Sequence, residues 1–353
     1  MSLDALRGFD MFWIVGGDYL VRSLPKIQDS AFTRALAGQM EHCEWAGFHF
    51  YDLIFPLFVF IVGISIPFSV PGMIARAGRA RAIKRIVIRS VILFLLGVLY
   101  MGGVAQGFKN VYFAGVLHRI AVAYFFAALL FCFLQSRNLV AVCAGLLVGY
   151  WALMTFIPVP GVGHPDLSVP GKNLAHYIDD LYLPGRKFEG TILSTMAAVA
   201  NCLLGVFAGL LLRRDNLSPD QKFLYLFTGG LCGLSLGIGW AQFFPVIKLL
   251  WTSSYVLISC GIGALLMAGF YYVIEMRNAQ RWAQPFVWLG MNAITIYLAA
   301  SILKFHPLAA RFVGGDIARL CGRFDEFVLA LATLALVFWF VYFLYRRKIF
   351  LRL

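Results

Sequence analysis

The sequence predicts an all-α integral membrane protein, built as a bundle of about ten transmembrane helices. Two observations predict this class. Of the 353 residues, 61% are hydrophobic and only 13% are charged, whereas soluble domains carry about 25% charged residues. The mean hydropathy is +0.80, and the apolar residues fall into long runs between short polar connections. The composition excludes a soluble globular protein, and 33 Phe and 8 Trp exclude a disordered chain.

Ten apolar segments account for nearly the whole chain. A helix needs about 20 mostly apolar residues to cross a bilayer. The segments that meet this requirement are 5–24, 49–70, 86–104, 114–135, 139–157, 190–212, 222–243, 252–274, 285–303 and 326–345. No soluble domain or low-complexity linker is visible between them. Residues 1–353 are therefore predicted to form a single transmembrane domain.

Lysine and arginine cluster in the connections that follow even-numbered spans. These clusters lie at 71–85, 213–221, 275–284 and in the C-terminal tail. Because cytoplasmic loops carry an excess of positive charge, both termini are predicted to be cytoplasmic. The longer connections then face outward, at 25–48, 158–189 and 304–325. The net charge of +13 is a topological signal in this interpretation, so no nucleic-acid partner is expected.

Charges inside the apolar spans mark candidate functional positions, because one charge at the bilayer centre costs about 2.5–3.5 kcal/mol. The first span contains Asp10 within its apolar stretch and Asp18 near its outer end. Arg7, at the start of this span, has the properties of a residue that reaches the membrane interface. Asp18 fits a solvated interfacial carboxylate and a functional one equally well.

A histidine precedes the second span in the stretch Glu41-His42-Cys43-Glu44-Trp45. Histidine exchanges protons near neutral pH, so His42 is either a general base or an ordinary solvated side chain. A metal site is not expected, since adjacent residues in one short stretch cannot easily surround an ion. Asp52 lies inside the following apolar run and needs a partner, for which we expect an arginine.

An arginine lies in the fourth span, in the stretch Gly115-Val116-Leu117-His118-Arg119. Such a residue should face the protein interior or a wet cavity. It either pairs with Asp52 or Asp10, or it binds an anionic ligand such as a phosphate. His118 points about 100° away on the same helix, so the two side chains need not share a role.

Two further polar groups lie near the outer end of the eighth span and in the ninth span. The first consists of Lys248, Trp251, Ser253 and Ser254. Lysine and tryptophan commonly anchor a span at the headgroup level, and serine commonly caps a helix. In the ninth span, Asn292 precedes Tyr297, and an interhelical hydrogen bond is the ordinary role of an asparagine there.

Six stretches in these regions resemble the heparan-α-glucosaminide N-acetyltransferase family of transmembrane acyltransferases. They run in family order at 2–18, 41–63, 115–124, 189–209, 244–257 and 290–297. The resemblance implies a multi-pass protein of the bacterial inner (cytoplasmic) membrane. It implies transfer of an acetyl group from cytosolic acetyl-CoA to an amino sugar or glycan at the periplasmic side. It implies no metal, and it admits a homodimer.

The resemblance also implies roles for individual residues. The family's active-site histidine maps onto His42, which either acts as a general base or forms an acetyl-histidine. Asp18 stands where the lysosomal member of the family has an asparagine, and it would hold the imidazolium or bind the sugar. Asn292 would donate to the oxyanion. Acyl-CoA would contact Arg7, Arg119, His118, Lys248, Trp251, Ser253 and Ser254. Structural or substrate-binding roles fall to Asp10, Asp52, Trp45 and Tyr297.

Two other functions remain open at this point. Ten spans with a polar interior also suit an amino-sugar permease. The third hypothesis is a membrane O-acyltransferase that acts on cell-envelope glycans, because the first span of that family has a similar LDxLRG-like start. It usually places a histidine within this span, whereas residues 9–18 contain none, so it ranks below the first reading.

Overall fold

The computed structural model describes residues 1–105, 107–185 and 190–351, and helices joined by turns and loops make up this part. No β-strand forms in these ranges; only two isolated bridges occur. The helices are α1 (Ser2–Phe12), α2 (Asp18–Arg22), α3 (Leu24–Ile27), α4 (Ala31–Gly38), α5 (Phe50–Ala77), α6 (Arg79–Tyr100), α7 (Val116–Phe133), α8 (Ser136–Phe156), α9 (Leu174–Tyr182), α10 (Thr191–Leu212), α11 (Pro219–Trp240), α12 (Ser253–Tyr271), α13 (Gln284–Met291), α14 (Ala293–Leu303), α15 (Phe305–Val313), α16 (Asp316–Cys321) and α17 (Asp325–Arg346). Glu189, in one of the family-like stretches, lies outside the described residues.

The described helices make this a multi-pass membrane protein. Seven are long and apolar enough to cross a bilayer: α5, α7, α8, α10, α11, α12 with the turn that follows it, and α17. The pair Arg281–Met291 and Ala293–Leu303 is bent by 70° and adds an eighth crossing if the two helices form one span. The predicted all-α class is confirmed. The count of ten spans and the cytoplasmic placement of both termini stay predictions.

The chain folds as two compact units. The first comprises Met1–Cys43, His49–Ile54 and the described chain from Gly269 onward, and the second comprises Glu44–Phe48 and Phe55–Ala268.

The first unit is built on the close packing of α1 against α13. A Cβ atom at Gly8 would collide with the carbonyl of Phe286, and one at Gly290 would collide with the carbonyl of Asp4. Small residues let transmembrane backbones approach in this way. Apolar side chains fill the rest of the contact, including buried Ala5. The pair of glycines therefore fixes α1 at a short distance from α13.

The predicted span 5–24 contains a break that the sequence analysis did not predict. The chain leaves the α-helix at Trp13–Gly17, a kink in which Gly16 has φ 135°. Residues with a Cβ rarely adopt this conformation, so the break requires glycine. The kink places Asp18 at the start of the next helix, α2.

The second unit is centred on α10, which packs against α7, α8 and α9. Its contact with α5 is a glycine crossing: a Cβ at Gly205 would collide with the carbonyl of Phe60, and one at Gly63 with that of Cys202. Asn201, also on α10, donates from Nδ2 to the carbonyl of Pro56 at 3.1 Å. Close backbone contact and one buried hydrogen bond thus hold α5 on α10.

A bulky residue at position 205 should loosen this crossing. We expect Gly205→Val to lower the stability of the detergent-solubilised protein by about 1–3 kcal/mol, the usual cost of overpacking. Gly145→Val is the matched control, because a Cβ at Gly145 would meet nothing within 4 Å. The two melting temperatures check the prediction. Equal melting of both variants would show that the crossing does not limit stability.

Candidate active site

A histidine–aspartate pair lies in the first unit, where the chain enters α5. His42 Nδ1 and Asp52 Oδ1 are 2.9 Å apart. The Asp52 side chain is 0% exposed, whereas the His42 side chain is 52% exposed. A carboxylate at this position holds the Nδ1–H tautomer, so Nε2 carries the lone pair of the neutral ring. The geometry is that of an oriented imidazole base at a surface that water reaches.

Backbone groups hold the second oxygen of Asp52. The N–H groups of Cys43 and His49 donate to Oδ2 at 3.2 and 3.0 Å. Asp52 lies in the first turn of α5, where the helix dipole favours a negative charge. The expected arginine partner was therefore wrong in kind: the structure supplies a histidine and two amides. Local chain folding between residues 42 and 52 brings them together.

The same unit contains Tyr51 beside His42 and a group of charged side chains around Arg22. The ring of Tyr51 lies 5.0 Å from that of His42, centroid to centroid. Asp18 is almost fully buried, and its Oδ2 lies 3.8 Å from Arg22 Nη1. Arg22 also approaches Glu41 at 3.7 Å. Asp18 lies within electrostatic reach of the Tyr51 hydroxyl, and its contact with His42 stays a prediction.

Cys43, His49 and Asp52 form a candidate cation site that the sequence analysis did not expect. Ligand atoms of Cys43, His49 and Asp52 all lie within 4.8 Å of one another. Both Asp52 oxygens already accept N–H hydrogen bonds. The imidazole of His49 also contacts the carbonyl of Glu41 at 3.0 Å. This bonding fits an oriented carboxylate better than a metal ligand.

The remaining predicted residues of the first unit have separate surroundings. Asp10 is fully buried, and within the described residues its oxygens have no hydrogen-bond partner. Arg7 donates from Nη1 to Asp4 at 2.9 Å and to the Gly290 carbonyl at 3.4 Å. Asn292 lies buried at the bend between α13 and α14 and makes a long 3.4 Å contact to the Trp288 carbonyl. Tyr297 is buried in α14.

The second unit contains an arginine centre. Arg119 Nη1 donates to Ser194 Oγ at 2.9 Å, and its guanidinium lies 4.5 Å from the ring centroid of Trp251. Cation–π contacts of this kind gain strength when they are shielded from water. Trp251 packs in turn on Tyr255, with centroids 5.4 Å apart. The sequence selected Arg119 and Trp251 separately, and the structure brings them into contact.

The loop before α12 presents Trp251 to Arg119. Trp251 has φ 53°, a conformation that is uncommon for a bulky residue and that clusters at functional sites. Ser253 and Ser254 are fully buried, and their hydroxyls donate to the carbonyls of Leu147 and Pro245. These bonds fix the loop; contact of the two serines with acyl-CoA stays a prediction. Lys248 lies in the same loop and is half-buried.

An aspartate missed by sequence reasoning stabilises the start of α10. Asp179 is buried and accepts hydrogen bonds from the backbone N–H groups of Thr191 and Ile192 at 2.6 and 2.9 Å. Burial raises the pKa of the Asp179 carboxyl, while these N–H donors and Arg119 act in the opposite direction. A polar residue in a connection between spans gave no sequence signal of this capping role.

His118 and Trp45 lie apart from the arginine centre within the second unit. The ring of His118 packs edge-on against Phe94, with centroids 4.6 Å apart, in a space left open by Gly97. Its direction thus differs from that of Arg119, as the helical spacing predicted. Trp45 donates from Nε1 to the carbonyl of Leu167 at 2.8 Å. Their proposed contacts with ligand stay predictions.

Comparison with known proteins gives concordant results. A family model for the catalytic region of heparan-alpha-glucosaminide N-acetyltransferase matches residues 1–177, which is half of the chain. The chain is 27% identical over 88% of its length to the heparan-alpha-glucosaminide N-acetyltransferase of Homo sapiens, of which it covers 55%. The Mus musculus protein of the same name gives 27% identity, with 88% and 56% covered.

The chain thus spans about half the length of the curated relatives it matches. The matched region contains the pair of His42 with Asp52, and it contains Arg119 but not the partners Ser194 and Trp251. The chain belongs to the heparan-alpha-glucosaminide N-acetyltransferase family.

Proposed function

We propose that this protein is a transmembrane acetyltransferase that moves an acetyl group from cytosolic acetyl-CoA to a glucosamine-type amine. Acceptor and product would lie at the periplasmic side of a bacterial inner membrane. The observation that carries the proposal is the pair of His42 and Asp52, in which a buried carboxylate orients a half-exposed imidazole. The names of the two relatives support the acetyl group and the amino sugar.

The pair supplies the base that acetyl transfer needs. The acceptor nitrogen attacks the thioester carbonyl carbon, the new N–C bond forms, and the C–S bond breaks. The proton of the nitrogen passes to Nε2 of His42, and the departing thiolate of CoA takes up a proton. Asp52 stabilises the imidazolium that forms between these steps. General-base catalysis of this kind contributes typically 10²–10⁴-fold.

Arg119 and Trp251 are assigned to the acyl donor. CoA is polyanionic, and arginine binds phosphate oxygens or polarises a carbonyl with fixed N–H donors. Within the described residues, the guanidinium of Arg119 donates one hydrogen bond, to Ser194, which leaves further donors for a ligand. Asn292 is assigned to the developing oxyanion. Arg7 and Lys248 complete the proposed donor contacts.

Labelled acetyl-CoA supplied to proteoliposomes tests the proposal. We expect labelled N-acetylglucosamine to form when glucosamine is present, and we expect the reaction to persist after treatment with a chelator. Empty liposomes and protein denatured before reconstitution are the controls. Absence of any acetylated amine from native protein would overturn the assignment. Ping-pong kinetics with a trapped acetyl-enzyme would favour the covalent route over direct transfer.

The alternative function is an amino-sugar permease, and one observation favours it. Transporters frequently build their substrate sites from discontinuous helices. The first unit contains two of them: the break at Trp13–Gly17 and the 70° bend at Asn292. Accumulation of unmodified labelled glucosamine in vesicles that contain no acyl-CoA would support the permease and displace the acetyltransferase.

A further inference from the structure

A second histidine of the first unit is not used by the mechanism above. His306 lies in α15 and is half-buried. Its Nδ1 lies 3.3 Å from Oγ1 of Thr333 on α17, and its ring centroid lies 4.5 Å from that of Tyr19. The sequence around His306 did not identify it as a candidate site residue, because its contacts Tyr19 and Thr333 lie far from it along the chain.

The hydroxyl of Thr333 fixes the tautomer of His306. Oγ1 of Thr333 donates to the carbonyl of Leu329 at 2.8 Å, which uses its only hydrogen. Toward His306 this oxygen can therefore only accept, so Nδ1 of the ring carries the hydrogen. Nε2 then holds the lone pair of the neutral imidazole. His306 is thus oriented as a base in the same way as His42, by a hydroxyl instead of a carboxylate.

A charged residue of α2 lies near His306. The negative charge of Asp18 acts on His306 across this contact, and Tyr19, which packs on the ring, follows Asp18 in α2. Arg22 is the other charged group of α2 and lies 3.8 Å from Asp18. This electrostatic interaction links Asp18, a residue that the sequence analysis selected, to a histidine on another helix.

Other charged groups lie on the helices that contain His306 and Thr333. On α17, Asp325 and Glu326 pair with Lys26 at 2.7 and 3.2 Å, about two helical turns before Thr333. On α15 itself, Lys304 precedes the first turn and Arg311 lies in the last turn. Asp18, which also faces Arg22, is the carboxylate with an electrostatic interaction that reaches His306.

An amino-sugar acceptor that binds as an ammonium ion loses two protons before the product forms. Its nitrogen is an ammonium group below the pKa of that group, and an ammonium has no lone pair for attack. One proton must leave before attack and a second as the N–C bond forms, while the thiolate takes one proton. The overall transfer therefore releases one proton. His42 accounts for the proton that moves during attack, so the first proton passes either to water or to a second base.

We propose that His306, held by Thr333 beside Asp18, removes the first proton from the ammonium group of the acceptor. Asp18 would attract the cationic acceptor, and His306 would take the proton at Nε2 and return it to the outer solution. This inference rests on the proposed acetyltransferase function, because it assigns one more proton transfer of that reaction.

The test compares two acceptors in one assay. Glucosamine is used below and above the pKa of its ammonium group, and methoxyamine, which is neutral at both pH values, is the second acceptor. With His306→Gln we expect about 10²-fold loss on glucosamine at the lower pH. We expect recovery toward the wild-type rate at the higher pH, and little change on methoxyamine at either. A merely structural role would lower all of these rates together.

Two substitutions of Thr333 give a second, milder test of the inference. Thr333→Val should reproduce the glucosamine-specific loss in part, and Thr333→Ser should restore the rate; this pair decides the matter if His306→Gln does not fold. His164→Gln, at an exposed histidine, should match the wild type. Equal loss on both acceptors, or no loss on glucosamine, would overturn the inference alone. A wild-type protein that acetylates neither acceptor would overturn the proposed function as well.

Discussion

Replacing Asp52 with asparagine should lower kcat for acetyl transfer by about 10²–10⁴-fold, the usual contribution of a general base. Asparagine is nearly isosteric, but it has no charge to stabilise the imidazolium of His42. Its amide can also donate to Nδ1 and thereby favour the tautomer in which Nε2 is protonated. Steady-state kinetics in proteoliposomes measures the effect. The KM for acetyl-CoA should change much less than kcat.

The control for this variant is Asp220→Asn. Asp220 also lies in the first turn of a long helix, α11, so both variants remove one favourable interaction with a helix dipole. Only Asp52 contacts a histidine in the arrangement described above. A similar small effect from both substitutions would mean that Asp52 acts through helix stability and not through His42.

Replacing Arg119 with glutamine should lower kcat/KM for acetyl-CoA by roughly 10–150-fold. This range corresponds to one hydrogen bond to a charged group, worth about 1.5–3 kcal/mol. The variant also loses the cation–π contact with Trp251. Arg119→Lys should recover only part of the activity, because an ammonium lacks the planar fork of donors.

Arg137→Gln is the control for Arg119, since Arg137 is exposed at the start of α8. Thermal melting of each variant separates binding from folding. If Arg119→Gln melts like the wild type and keeps its kcat/KM for acetyl-CoA, the assignment of Arg119 to the acyl donor is wrong.

The helical class could be read from the sequence because lipid leaves few alternatives to long apolar helices. The break at Gly16 could not, although both glycines were visible. A Gly-Gly pair in an apolar span fits close helix packing as well as a change of backbone conformation. Only the packing of the neighbouring helices decides between these outcomes.

The residues of the site could be predicted from the sequence better than the contacts between them. His42, Asp52, Arg119 and Trp251 were all selected from the sequence, but their partners were not. We expected an arginine beside Asp52 because a buried carboxylate needs a partner. Burial alone does not determine which residue that partner is. The pairing with His42 depends on the fold of a ten-residue connection, which composition does not determine.

Two residues with partners on other helices were missed. Asp179 caps a helix that begins twelve residues later, and His306 meets Thr333 twenty-seven residues away. In isolation both residues resemble ordinary polar groups of connections between spans. Tertiary packing alone gives them their roles.

The central claim is that His42 is the base of an acetyl transfer, and its most direct test is one measurement. Labelled acetyl-CoA and glucosamine are supplied to proteoliposomes that contain equal amounts of wild-type protein or His42→Gln, with folding checked by melting temperature. The account predicts labelled N-acetylglucosamine from the wild type and a rate lower by about 10²–10⁴-fold from the variant. Full activity in a folded His42→Gln protein would contradict it.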